Sequence, residues 1–325
     1  MRISRLVQLA AALGISTIII NFSSIKILGR IYKPDKDNKE IEYRIKGPLY
    51  TNDTRLLTYV RENYMHPPSK MPYNLSTGDD DPTYKQFSKE SSWQYIHDCL
   101  KLLFSDESPG FFIEAGALDG QFISNTLWLE QSLNWTGLLI ESDRESYRHL
   151  LYKNRHAWSS NTCLSDKPYA KETIHVSLHV KETDAFIRVP WNFHANSYEL
   201  GVTVHTTSEE FFETADKAYS VVQCFPLSTY LLSLNISVVD FLSLDIQGSE
   251  KDVIKNIIWD AIKIRVMFVE ITDKDTDEEF IKYVESKGYV FVNRPVVHKI
   301  EDYLFIRKEE HYLLAKSKFV IGHVF

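Results

Sequence analysis

The chain has few cysteines, and their spacing excludes two kinds of site. Only three occur among its 325 residues, Cys99, Cys163 and Cys224, and none belongs to a C-x-x-C pair. This odd number excludes a disulfide framework, and the missing pair predicts neither a zinc knuckle nor a thioredoxin-type site. One bridge between Cys163 and Cys224 is compatible with an oxidising compartment. The alternative, that these cysteines are small buried apolar side chains, stays open.

The chain also lacks a surplus of positive charge and the common nucleotide-binding motifs. Its 37 Lys and Arg against 44 Asp and Glu give a net charge of −7, so we expect no nucleic-acid partner. The absence of G-x-G-x-x-G disfavours a nicotinamide or flavin cofactor, and the absence of G-K-[ST] excludes a P-loop.

Two groups of potential metal ligands have simpler explanations. The acidic run Asp79–Asp81 precedes a proline and is typical of a solvated turn. His175 and His179 fall on a predicted strand, where residues four apart lie about 13 Å from each other, too far to share one ion. We therefore predict no metal site and expect both histidines to be exposed.

The N-terminus carries one long uncharged run. Residues 6–25 contain no charged side chain, and a helix of this length can cross a hydrocarbon core of roughly 30 Å. A cleavable signal peptide is the alternative, but the small-residue sites lie inside the run and no A-x-A follows it. We predict a signal-anchor transmembrane segment over 1–30, followed by a stem over 31–90 that is rich in Pro, Asp, Lys and Asn.

Basic residues and glycosylation sequons give opposite indications of orientation. Two arginines precede the uncharged run and five basic residues follow it by position 39, which by the positive-inside rule alone would place the large domain in the cytosol. Five N-x-[ST] sequons favour a lumenal domain in the secretory pathway, which is the orientation we expect. The sequons begin at Asn21, inside the run, and at Asn52, Asn74, Asn134 and Asn235.

From residue 91 onward, strand-like and helix-like stretches alternate. FFIEA, TGLLIES, VDFLSLDIQ and RVMFVEI include strands that are apolar on both faces, which is typical of a mostly parallel sheet with helices on both sides. YVFVN and DYLFIRK follow without a helix between them and predict an antiparallel edge. Within an insertion at 171–207, TIHVSLHV and DAFIRVP alternate with period two and could form a hairpin. We predict an α/β domain over 91–308 and an apolar tail over 309–325 that docks on the domain or on a partner.

The stretch FFIEAGALDGQFISNT, residues 111–126, has the order of a buried strand, a glycine turn and a helix. Gly116 and Gly120 permit a tight turn that approaches a ligand closely. Glu114 could accept hydrogen bonds from an ammonium, and Glu141 lies where α/β nucleotide folds place a carboxylate on a ribose diol. Each residue also has an ordinary structural explanation as a turn or a cap. Their combined order and spacing indicate S-adenosylmethionine.

These stretches, with WTGLLIESD, CLSD, FLSLDIQGSEKDVIKNI and DYLFIRK in the same order, resemble the FkbM-type methyltransferase domain over roughly residues 91 to 308. The resemblance implies a Rossmann-like class I methyltransferase fold that binds S-adenosylmethionine. Gln247 stands where relatives often carry Glu, which weakens a catalytic interpretation. The implied sites are a cofactor loop of Glu114, Gly116, Ala117, Asp119 and Gly120, a ribose contact at Glu141, adenine contacts near Ser165 and Asp166, and a candidate base, Asp245.

The anchor, the stem and the sequence motifs EAGALDG, SNTLWLE and WTGLLIE further resemble the Star-like group of animal membrane proteins. This resemblance implies vesicle-mediated transport of membrane-tethered signalling ligands from the endoplasmic reticulum to the Golgi and endosomes. We therefore expect one of two functions. The chain is a transport protein that retains a methyltransferase-like lumenal domain, or it is an active O-methyltransferase acting on a sugar or small-molecule hydroxyl.

Overall fold

The computed structural model describes most of the chain from residue 49 onward. The chain divides into two compact units, Met1–Tyr43 and Arg44–Phe325, and the helices and strands that follow belong to the second unit. The predicted anchor lies outside the described residues. Among the residues that are described, no helix is both long and apolar enough to cross a membrane. The described residues are 41–42, 45, 49–75, 93–180, 193–202, 216–271, 277–293, 296–297 and 300–321.

Strands and helices alternate along the second unit, as the sequence predicts. The strands are β1 (Phe111–Ala115), β2 (Thr136–Ile140), β3 (Trp158–Ser160), β4 (Cys163–Leu164), β5 (Lys171–Val180), β6 (Phe193–Glu199), β7 (Asp216–Phe225), β8 (Val238–Leu244), β9 (Lys263–Ile271), β10 (Tyr289–Asn293), β11 (Val296–Val297) and β12 (Ile300–Arg307). The helices are α1 (Thr54–Asn63), α2 (Trp93–Phe104), α3 (Leu127–Leu133), α4 (Arg144–Tyr152), α5 (Leu227–Ser233), α6 (Glu250–Lys255), α7 (Glu278–Ser286) and α8 (His311–Ile321).

The central sheet has the order β10-β12-β9-β8-β1-β2-β3, with β11 paired to β12. The strands from β9 to β3 are parallel to one another, whereas β12 is antiparallel to both β9 and β10. The prediction of a mostly parallel sheet with an antiparallel edge is therefore confirmed. The carboxyl ends of β2, β1 and β8 are adjacent at one edge of this sheet, where ligands of open α/β sheets bind.

The strands next to this edge are held by a large apolar core. Phe112 of β1, Phe241 of β8 and Phe268 of β9 are almost completely buried, and Leu100 and Leu103 of α2 belong to the same cluster. Because each of these strands is covered on both faces, its side chains do not alternate between apolar and polar. This core holds β1, β8 and β9 together beneath the edge at which they end.

Residues 49–75 are folded against the domain. In α1, Leu56 and Val60 are fully buried one turn apart, and the helix packs against α5. Beyond α1, His66 forms a β-bridge with β3. This part of the predicted stem over 31–90 is helical and packed, because the four-residue spacing of two apolar side chains gives α1 a face that is buried against α5.

The strands β4, β7, β5 and β6 form a second, smaller sheet in that order. Cys163 of β4 and Cys224 of β7 are paired residues on adjacent strands, and a disulfide joins them. Cys99 is free and buried. The sequence left both outcomes open for the first two cysteines, and the structure shows the bridge.

His175 lies on β5 and is 7% exposed, so the expectation that it is exposed is wrong. The physical reason is that its ring lies against the buried disulfide, with a ring nitrogen within 4.8 Å of both sulfurs, whereas Ile174 beside it on the other face of β5 is 42% exposed. The side chain of His179 and the segment 184–190, which could have formed the hairpin with β5, lie outside the described residues.

The C-terminal tail docks on the domain through α8. Leu313 is fully buried in the core that α2 shares with the sheet. Lys316 donates from Nζ to the carbonyl of Leu103 at 3.0 Å, and Tyr312 donates to the carboxylate of Asp106. Of the two alternatives for this apolar tail, the structure therefore shows docking on the domain.

If residues 49–75 belong to the folded unit, truncating their buried side chains destabilises the whole domain. We expect Leu56→Ala to lower the free energy of unfolding by about 2–5 kcal/mol, because it leaves a cavity between α1 and α5. The exposed neighbour provides a control, since Thr58→Ala should change the value by no more than about 0.5 kcal/mol. Urea unfolding of both variants measures this, and equal stabilities would show that the segment is a free stem.

Candidate functional site

The loop after β1 joins the carboxyl ends of three parallel strands. The N–H groups of Gly116 and Ala117 donate to the carbonyl of Ile140, at the end of β2, at 3.0 and 3.1 Å. Gly116 has a φ of +88°, and a Cβ there would lie 2.0 Å from the carbonyl oxygen of Asp245, which follows β8. Glycine alone allows the loop to approach β8 so closely.

Glu141 follows β2 directly and ties this loop to the start of α4. Its buried carboxylate accepts hydrogen bonds from the N–H groups of Leu118 at 2.8 Å and Asp143 at 2.7 Å. Burial raises the pKa of Glu141 to about 8, the negative charges of Asp143 and Asp245 act in the same direction, and the two N–H groups oppose the shift. A carboxylate offers about four lone pairs, so two remain for hydroxyl donors such as those of a ribose.

Glu114, near the end of β1, holds the chain that leads into α3. Its carboxylate accepts hydrogen bonds from Ser124 Oγ at 2.8 Å, from the N–H of Asn125 at 2.8 Å and from Thr126 Oγ1 at 2.5 Å. Burial raises the pKa of Glu114, and the nearby charge of Arg155 opposes this. Most of its hydrogen-bonding capacity is therefore taken up within the protein.

Asn125 lies across the ends of β1 and β8 and has a free acceptor. Its Nδ2 donates to Ser243 Oγ at 2.9 Å, while its N–H binds Glu114. Its Oδ1 is buried and has no hydrogen-bond partner. Buried acceptors without a donor are uncommon, and a missing ligand is one explanation. Beside the carboxylate of Glu114, this oxygen suits an ammonium group.

Two buried basic side chains engage the rest of the predicted loop. Arg155, which is 3% exposed, donates from Nε to Glu130 at 3.0 Å and from Nη1 to the carbonyl of Gly120. Asp119 accepts from the two backbone N–H groups after Gly120 and lies 3.3 Å from Nζ of Lys153. Asp119 and Gly120 therefore shape the loop, and their role in cofactor binding stays a prediction.

Asp245 belongs to a pair of buried carboxyl groups. Gln247 donates from Nε2 to Asp245 Oδ1 at 2.7 Å and to Glu270 Oε1, near the end of β9, at 3.1 Å. Burial raises the pKa of both acids. The shift is stronger at Glu270, where the charges of Asp245, Asp302 and Glu250 add to the effect of burial. Two negative charges so close together repel each other, so burial and repulsion together favour a state in which the pair holds a proton.

Ser165 and Asp166 lie in a different setting from the other predicted site residues. They follow β4, in the smaller sheet, where Ser165 Oγ donates to the carbonyl of Tyr169 at 2.8 Å. Asp166 forms ion pairs with Lys167 and Lys171 at 2.8 and 2.6 Å. These described contacts hold a turn together, and the predicted adenine contact stays a prediction.

Sequence reasoning missed four residues that shape the site. Glu270 is the last residue but one of the run RVMFVEI, and the strand-end reasoning used for Glu141 would also have selected it. Asn161 donates from Nδ2 to the carbonyl of Glu141 at 2.9 Å and had no comparable signal. Asn125 and Arg155 had none either, because their importance depends on contacts across the fold.

The comparisons with known proteins concern the same part of the chain. The methyltransferase FkbM domain family matches residues 114–291, more than half of the chain. No curated protein sequence matches the chain significantly. Similar solved structures include the precorrin-6y C5,15-methyltransferase of Geobacter metallireducens GS-15 (12% identity, 66% of this chain and 88% of that chain, TM-score 0.33) and the N-terminal domain of human METTL16 in complex with SAH (12%, 85% and 95%, 0.33).

The close approach of Gly116 to β8 predicts that its substitution damages the fold itself. Gly288→Ala is the matched control, because Gly288 has a φ of +95° with nothing within 4 Å of a Cβ. We expect the control to cost about 1–3 kcal/mol from backbone strain alone. Gly116→Ala should cost clearly more, because its Cβ collides with a backbone carbonyl. Urea unfolding compares them, and equal losses would mean that the loop is not packed on β8.

Proposed function

Because this chain belongs to the methyltransferase FkbM domain family, we propose that its domain binds S-adenosylmethionine at the carboxyl edge of the sheet and methylates a hydroxyl group. The observation that carries the proposal is the meeting of Gly116, Glu141 and Asp245 at the ends of three adjacent parallel strands. This edge is where open α/β sheets bind nucleotide-like ligands.

The groups at this edge fit the cofactor. Glu141 has lone pairs for the two ribose hydroxyls. The unpartnered Oδ1 of Asn125 and the remaining lone pair of Glu114 are acceptors for the ammonium of the methionine part. The positive sulfonium suits a site with several buried carboxyl groups, because an opposite charge favours their ionised forms.

Bound S-adenosylmethionine supplies a methyl group activated by a positively charged sulfur. An acceptor hydroxyl must then lose its proton to a positioned base. Asp245 is that base in our proposal, because it follows β8 at the strand edge beside Gly116 and is oriented by Gln247. Gln247 bridges Asp245 and Glu270 and so holds the carboxylate of Asp245 in place.

Transfer of an isotope-labelled methyl group tests this role. We expect the full-length protein to label a hydroxyl-bearing acceptor from secretory-pathway glycans or small molecules. Asp245→Asn should lower the rate about 10²–10⁴-fold, the usual contribution of a general base. The exposed Asp260→Asn serves as the control and should retain the rate. Labelling that is insensitive to Asp245→Asn would contradict the assignment of the base.

A second candidate function is the Star-like one, namely transport of membrane-tethered signalling ligands from the endoplasmic reticulum to the Golgi and endosomes. The resemblance over the anchor and the domain supports it. In this function the partners of the chain would be the membrane and a membrane-tethered protein cargo. Two structural observations support the lumenal placement that it needs. The disulfide between Cys163 and Cys224 is typical of oxidising compartments. The four sequon asparagines among the described residues are all exposed, namely Asn52, Asn74, Asn134 and Asn235.

Glycosylation of the chain in secretory cells tests the lumenal placement. We expect treatment with a glycosidase to lower the apparent mass of the protein on a gel. Each Asn→Gln change at one of the four exposed sequons should remove one increment of that shift. An unmodified protein would place the domain on the cytosolic side.

Glu141→Ala separates the two functions. A variant that no longer binds the cofactor but still exports the tethered ligand would act in transport without methylation.

A further inference from the structure

A second group of chemically reactive side chains lies in the smaller sheet, away from the strand ends of the candidate site. Cys163 of β4 and Cys224 of β7 are directly paired, and His175 lies on β5, the strand on the other side of β7. One ligand atom of each residue lies within 4.8 Å of the other two. All three side chains are buried, with exposures of 5%, 0% and 7% in that order.

His175 is the member of this group that the fold does not explain. Its Nδ1 is buried and has no hydrogen-bond partner. Burial lowers the pKa of His175 to about 4, and the charges of Glu199 and Asp143 oppose this only in part. The imidazole is therefore neutral at physiological pH, which is the form in which histidine binds metal ions.

We propose that reduction of the disulfide converts this group into a zinc site, in which the two thiolates and a ring nitrogen of His175 bind one Zn²⁺. Zinc accepts two cysteines and one histidine as three protein ligands, with a fourth position left for solvent. Donor atoms about 2.0–2.3 Å from a tetrahedral zinc ion lie about 3.5–3.8 Å apart. The three ligand atoms lie within 4.8 Å of one another, and once the disulfide is reduced its two sulfurs can move apart to reach this spacing.

The conversion balances in electrons and protons. A dithiol reductant gives two electrons and two protons to the Cys163–Cys224 bond and itself becomes a disulfide. The zinc ion then displaces one proton from each thiol, while neutral His175 binds through its lone pair and releases none. The reduced and metal-bound state keeps β4 and β7 cross-linked and adds β5 to the link.

The test uses the full-length protein, reduced with a phosphine under anaerobic conditions and titrated with Co²⁺ as a spectroscopic probe and with Zn²⁺ as its competitor. We expect one Co²⁺ per chain, a thiolate-to-cobalt charge-transfer band and displacement by Zn²⁺. The oxidised protein should show no such band. His175→Gln, which has a side chain of similar size, should weaken Zn²⁺ binding by at least about 10-fold, since even outer-shell changes cost about 10–100-fold.

Cys99→Ala is the matched control, because Cys99 is buried on α2 and belongs to a different cluster. It should bind the metal as the unchanged chain does, whereas Cys163→Ser should abolish the charge-transfer band. Near-ultraviolet circular dichroism of the reduced protein shows whether the fold is intact in each case. The proposal is overturned if the folded, reduced chain binds no metal, or if His175→Gln binds Zn²⁺ as tightly as the unchanged chain.

Discussion

The buried guanidinium of Arg155 is the constraint on which the shape of the candidate site depends. It contacts Glu130 of α3, the carbonyl of Gly120 and the hydroxyl of Thr126, which in turn binds Glu114. A charge removed from water in this way is stable only when it is fully paired and hydrogen-bonded. The loop from β1 to α3 is consequently held in one conformation, which presses Gly116 against β8 and aims the N–H of Leu118 at Glu141.

This rigid loop faces an edge that is rich in buried acids. Glu141, Asp245, Glu250 and Glu270 all have raised pKa values because burial disfavours their charged forms. Such groups lower the free energy of unfolding as the pH rises. The reason is that their protons dissociate at a higher pH in the folded state than in the unfolded state. A bound cation reverses this effect by favouring the carboxylates. A cofactor that carries an ammonium and a sulfonium is therefore matched to this edge by charge.

The sequence predicted those features of the fold and the site that depend on residues close together along the chain. The strand, turn and helix at 111–126 and the acid Glu141 follow from periodicity and from position at a strand end, whereas Asp245 was predicted from the family resemblance. Arg155 was missed because its partners are brought together only by packing. His175 was misjudged because its burial depends on the neighbouring Cys163–Cys224 disulfide, which alternation along one strand does not reveal.

Calorimetric titration of the full-length protein with S-adenosylhomocysteine, repeated in buffers of different ionisation enthalpy, tests the central claim most directly. In the protein without cofactor, the pKa of Glu141 is raised to about 8, so this group is mostly protonated at neutral pH. It therefore has to ionise to accept hydrogen bonds from the ribose hydroxyls. The account predicts binding with net proton release at neutral pH, an affinity that strengthens as the pH approaches 8, and loss of binding in Glu141→Ala. No binding at millimolar cofactor, or equally tight binding by Glu141→Ala, would contradict it.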